Sequence, residues 1–135
     1  MSRTRSKRPC LAMMMAIAVV AACKTTPTSP GVEPEIVNTP DAFAYQVSSI
    51  QNFSGTATYQ WENSGTTANI NLSAAQLAGG ALLVVMDANG TEVFSRSISE
   101  NGTFATSAGA AGQWSIRVVY EGFSGTVNFR AERTT

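Results

Sequence analysis

The chain has 135 residues, 44% of them hydrophobic and 13% charged, with nine basic and nine acidic side chains and no histidine. That composition fits one globular domain. It excludes a disordered polar chain, a nucleic-acid binder working through bulk basic charge, and a two-domain enzyme. The charge is uneven along the chain: residues 1–22 carry Arg3, Arg5, Lys7 and Arg8 and no acid, whereas residues 23–135 carry five bases and nine acids, a net of −4.

The twelve residues from Leu11 to Ala22 are apolar without a break. A membrane-crossing helix needs about 20 such residues, so the run has the length of a secretory core behind a positive start. A buried helix of a folded domain would show one polar face, and this run shows none. The residues Val20-Ala21-Ala22-Cys23 resemble the lipobox of bacterial lipoproteins, in which small residues precede a cysteine. That resemblance implies export, cleavage before Cys23, diacylglycerol on its thiol and an acyl chain on the new amine, with no other cofactor. Two or three acyl chains make a stable membrane anchor where one does not. Cleavage after Ala22 without lipid is the other reading. It leaves Cys23 as an odd thiol in an oxidising compartment, because Cys10 lies in the removed segment. Lys24 stands where enteric-type lipoproteins carry an inner-membrane Asp, so the resemblance points to the outer membrane of the cell envelope.

Residues 24–40 contain Pro27, Pro30, Pro34 and Pro40. Proline fixes φ and removes a donor, which predicts an extended polyproline-II tether reaching about 50 Å rather than a helix or central strand. A first strand beginning near Glu35 is the competing reading.

From Asp41 to Thr135 the hydrophobic period becomes two, the spacing of half-buried strands. Phe43, Tyr45 and Val47 form one stripe, and the odd positions from Phe53 to Trp61 another. Ala68, Ile70 and Leu72 alternate with Thr67, Asn69 and Asn71. Ser73 to Gly80 reads as one helical turn, capped by serine and closed by glycine. Ala81 to Met86 is apolar on both faces, as a central strand requires. Asp87-Ala-Asn89-Gly90 predicts a hairpin turn into Thr91 to Ile98, and Ser99 to Gly102 another turn. Trp114, Ile116, Val118 and Tyr120 make a stripe, Glu121 to Gly125 a third turn, and Gly125, Val127, Phe129 and Ala131 a last stripe. About eight short strands with frequent turns predict an all-β fold, an antiparallel sandwich or jelly roll.

The stretch from Leu82 to Glu132 resembles the small jelly-roll modules called bacterial pre-peptidase C-terminal domains. The shared features are an apolar strand running into Met86-Asp-Ala-Asn-Gly-Thr, then Gly112-Gln-Trp-Ser-Ile-Arg-Val, then Gly125-Thr-Val-Asn-Phe129. The resemblance implies the fold, and a fold does not give a function.

Without histidine there is no Ser-His-Asp triad, and zinc loses its commonest nitrogen ligand. No phosphate-binding glycine motif occurs. Asp87, Asn89 and Glu92 bracket one turn with the oxygen atoms a calcium ion takes, but their spacing does not match an EF-hand loop and hairpin turn chemistry explains Asp and Asn there without a metal. Tyr59, Trp61, Trp114, Tyr120 and Phe123 could stack on a sugar, yet the first four fall on apolar stripes and read as core. Phe123 sits between the glycines of the third turn, and there it is a candidate contact residue. The expectation is therefore a non-catalytic, membrane-anchored envelope lipoprotein whose β-sandwich contacts a protein or an envelope polymer. The alternative is a module binding carbohydrate or another small ligand.

Overall fold

The computed structural model describes residues 33–134. Seven strands follow one another: β1 (Glu35–Thr39), β2 (Ala42–Asn63), β3 (Ala68–Leu72), β4 (Ala75–Met86), β5 (Glu92–Ser97), β6 (Gly102–Ala105) and β7 (Gly112–Arg133). They form one antiparallel sheet, and there is no helix among the described residues. The all-β expectation holds, but the strands are not all short. β2 and β7 each run 22 residues, far beyond the usual five or six. They pair with each other along almost their whole length, from Ala42 opposite Glu132 to Asn63 opposite Gly112. The second edge of β7 is shared by β3, opposite Arg133 to Phe129, and β4, opposite Thr126 to Ser115.

These long strands survive only because they bend. The register between β2 and β7 shifts between Val47 and Ile50, between Ile50 and Phe53, and between Phe53 and Gly55; that between β4 and β7 shifts on both sides of Ala78. Each shift inserts a residue that has no partner, which twists the strand and turns the next side chain to the other face. Buried positions accordingly jump from Val47 to Ile50 in β2, with Phe53 partly buried beyond them, and from Tyr120 to Phe123 in β7. The inserted backbone takes positive φ at Ser49 (60°), Asn52 (45°), Gly79 (70°) and Gly122 (56°). Beyond the bend β2 comes back to its start: Asp41 donates its N–H to the Glu62 carbonyl at 2.9 Å, and the Trp61 indole donates to the Thr39 carbonyl at 3.1 Å.

Three sequence expectations are corrected here. Ser73 to Gly80 is no helical turn. Ala75 to Ala78 pair with Thr126 to Ser124, and the strand edge offered by β7 outweighs the modest helix preference of Ala-Ala-Gln-Leu-Ala. Glu121 to Gly125 is no turn; it is the bulge at which β7 continues through the bend. The tether assigned to residues 24–40 ends sooner, because Glu35 to Thr39 pair with Gln46 to Ala42 as an edge strand. Pro40 and Asp41 then make the tight turn into β2, Asp41 supplying the positive φ of 68° that a proline-led type II turn needs at its third residue.

The stripes otherwise fall as their alternation predicts. Phe43, Tyr45, Trp61, Ile70, Leu72, Trp114, Ile116, Val118, Tyr120, Val127 and Phe129 are all buried. Leu83, Val84 and Val85 are buried on both faces of β4, but Leu82 is 39% exposed. Trp61 and Trp114 lie directly opposite each other on β2 and β7, their rings edge to face at 5.9 Å and 87°.

Candidate functional site

The lipobox residues Val20, Ala21, Ala22 and Cys23 lie outside the described residues. The remaining sequence candidates are all in view, and the structure sorts them.

Phe123 is corrected. It is 0% exposed and meets the Tyr120 ring edge-on at 5.7 Å, so it is a core residue and offers no contact. The reason is the bulge: Gly122 takes the left-handed φ, which advances the face by one residue and points Phe123 inward. The other rings are equally occupied. Tyr59 is half-buried between Phe43 and Tyr45, at 5.8 and 5.7 Å. The Tyr45 and Tyr120 hydroxyls share a buried hydrogen bond of 2.7 Å. Burial holds both tyrosines in the neutral form: it raises the Tyr45 hydroxyl far above its ordinary value and pushes Tyr120 up to about 12. No stacked sugar platform can be assembled from Tyr59, Trp61, Trp114, Tyr120 and Phe123 without dismantling the core.

The Asp87 turn is built by its carboxylate. One oxygen accepts the N–H groups of Asn89 and Thr91 at 2.9 and 2.8 Å, and the other accepts that of Ala110 at 2.8 Å. Together they tie the β4–β5 hairpin to the loop before β7. This is turn chemistry: both oxygens already serve the main chain, while Asn89 and Glu92 are exposed. Hydrogen bonds from the main chain, that of Ala110 first, lower the pKa of Asp87 below the ordinary carboxylate range. Asp41 is lowered as well, first by the Ser64 N–H at 2.7 Å and also by the Arg133 guanidinium at 3.3 Å. An aspartate in the unfolded chain titrates near about 3.9. The unfolded state therefore takes up protons first as pH falls, and stability present above that value is lost as pH drops through the lower folded values. The melting temperature should fall on acidification from pH 5 to pH 2, and Asp87→Asn should melt lower at pH 7 with a flatter acid dependence. An unchanged melting profile for Asp87→Asn would show that the loop is held by something else.

Surface recesses remain among the described residues, including one of about 300 Å³ lined by Gly80, Ala81, Leu82, Ser97, Val119 and Glu121. Asn69, Asn71, Thr103, Arg130 and Glu132 line a shallow one of about 330 Å³ on the outer face of β3, β6 and β7. Asn71 donates to the Thr103 hydroxyl there at 2.7 Å. Another, about 630 Å³, lies at the bend and is lined by Ser49, Ile50, Gln51, Asn52, Leu77, Ser124, Gly125 and Thr126. None of these eight is charged. Their backbone is held from both sides, with Ser124 accepting the Asn52 N–H at 2.9 Å and Ser54 accepting the Gly122 N–H at 2.8 Å. Leu77 stands beside the groove at 81% exposure, the most exposed large apolar side chain among the described residues. Sequence reading missed this groove. Its signals were the glycines at 79, 80, 122 and 125 and the change of phase within each long strand, which a turn and a bulge share.

What this surface can do chemically is bind. Its neutral amides and hydroxyls donate and accept hydrogen bonds, and its one leucine offers apolar area. No protein-family model matches the chain, and no curated protein matches it.

Proposed function

We propose that the chain is an exported, lipid-anchored, non-catalytic protein of a bacterial cell envelope, and that its β domain is a two-layer sandwich presented for contact with other envelope proteins. The observation that carries this reading is the position of Cys23. It is the only thiol after the apolar run, it follows Val20-Ala21-Ala22, and it precedes the first strand by only the proline-rich segment. Lipid attachment accounts for the small residues, the lone thiol and the proline-rich spacer together. With β1 starting at Glu35, that spacer is residues 24–34. Its eleven residues span about 34 Å at the polyproline-II rise.

The sandwich reading is supported by ring contacts between segments that the bend separates. Phe43 and Tyr45 from the first half of β2 meet Tyr59 from its second half. Phe94 of β5 lies 6.4 Å from Phe104 of β6. Strands that change layer through bulges are the usual way such corners are built. The jelly-roll likeness of residues 82–132 fits the same arrangement. A non-catalytic role is supported by the fate of the candidate groups: Asp41 and Asp87 serve the backbone, and the tyrosines serve the core.

The test is Cys23→Ala in cells that process lipoproteins. The wild type should enter the detergent phase and incorporate labelled palmitate; the variant should do neither. If the variant still partitions into detergent, the anchor is not at Cys23 and this reading falls.

A further inference from the structure

We propose that the bend corner carrying Leu77 is the face that the anchored domain lays against the lipid surface, with Leu77 entering the interface; this rests on the lipid-anchor reading above. Three observations lead to it. The first is how Leu77 is presented. It is the bulged residue of β4, skipped in the pairing with β7 between Gln76 and Ala78. Gln76 closes the bulge by donating to the Gly79 carbonyl at 2.7 Å. Gly79 and Gly125 lie so close to β7 and β4 that an added Cβ would fall 2.0 Å from the Gly122 oxygen and 2.1 Å from the Ala75 oxygen. The leucine is therefore held outward by a fixed backbone, and among the described residues nothing covers its apolar area.

The second observation is where the chain enters. Glu35, the first residue of β1, pairs with Gln46, next to Val47, after which the register of β2 first shifts at the bend. Only ten residue steps separate Cys23 from Glu33, no more than about 35 Å even fully extended. A lipid on Cys23 thus brings the bend end of the domain, rather than the Asp87 hairpin at the other end of β4, close to the bilayer. Once anchored, the domain meets the surface intramolecularly, so a weak contact is populated that could not recruit a free protein.

The third is chemistry. The groove lining is neutral, with hydroxyls and amides suited to the headgroup zone around one apolar side chain. Glu35 and Glu121 flank the corner by register. The contact should therefore favour zwitterionic over anionic lipid.

The experiment uses the full mature protein, lipidated at Cys23 as verified by intact mass, on phosphatidylcholine vesicles. Leu77→Cys and Asn89→Cys each carry a polarity-sensitive fluorophore; both positions are exposed, and the melting temperature of each variant checks that the fold is kept. The label at 77 should shift to shorter wavelength and lose most of its quenching by aqueous iodide when vesicles are present. The label at 89 should change in neither respect. Full iodide quenching at 77 in protein shown to carry lipid would overturn the inference and leave the anchor reading standing. A mature chain without lipid on Cys23 would overturn both. Shielding at 77 that appears equally in the unlipidated Cys23→Ala protein and grows with protein concentration would assign the corner to a second copy, and overturn it too.

Discussion

Replacing Trp61 or Trp114 with alanine is expected to lower stability by about 3–5 kcal/mol, the range for removing a large buried ring. A domain of this size has about 5–15 kcal/mol in all. Both indoles are essentially inaccessible, at 1% and 0% exposure, and they meet across the β2–β7 pair in the edge-to-face geometry that aromatic quadrupoles favour. Each also fixes a loop, since the Trp61 indole donates to Thr39 and the Trp114 indole to Ala110 at 2.8 Å. Truncating either ring leaves a cavity and removes that hydrogen bond to the loop. Because the rings touch, the double variant should lose less than the sum of the two singles. Thermal unfolding of the three variants measures this. A loss under about 1 kcal/mol for either single variant would mean that the faces of that strand are reversed.

Gly79→Ala should be at least as damaging, at about 4 kcal/mol or more, and Gly90→Ala serves as its control. Both glycines have left-handed φ, 70° and 84°. An alanine in that conformation costs about 1–2 kcal/mol from its own backbone. At Gly90 a Cβ meets nothing within 4 Å, so that cost should be the whole effect. At Gly79 the Cβ would sit 2.0 Å from the Gly122 oxygen and 2.6 Å from the Glu121 oxygen, all main-chain atoms that cannot swing aside. The β4 bulge must then lift from β7, opening the groove and releasing Leu77. Equal melting temperatures for the two variants would show that β4 and β7 do not approach as closely as the bend requires.

Much of this fold could be read from periodicity because a strand declares its buried face every second residue. Ala68, Ile70 and Leu72, or Trp114 to Tyr120, need no context to be assigned. The bend was not legible for the same reason that it exists. Bulges and turns draw on one chemistry, glycine and small polar residues with positive φ, so Glu121 to Gly125 reads as a place where β7 stops. The change of stripe from even Tyr120 to odd Phe123 was visible, but a new strand after a turn would show it too. What separates the two is the partner: Phe53 opposite Phe123 and Gly80 opposite Glu121 keep the ladder going. That information is non-local. It also decided Phe123, whose inward direction depends on one inserted glycine. Ser73 to Gly80 failed differently, because a weak local helix preference gave way to an available strand edge. The groove at the bend needed three strands to bulge side by side, which no single segment announces. Cys23 stands at the opposite extreme, its reading resting on contiguous sequence alone: the basic start, the apolar run and the four residues from Val20 to Cys23.

The central claim is a β domain held to a membrane by lipid on Cys23. The most direct measurement is the intact mass of the mature protein extracted from membranes, with its N-terminal peptide sequenced. If Cys23 carries the anchor, the chain begins at Cys23 and is heavier than its amino acids by diacylglycerol and an acyl chain. A chain beginning at Cys23 with a free thiol, or one still carrying residues before it, would contradict the account.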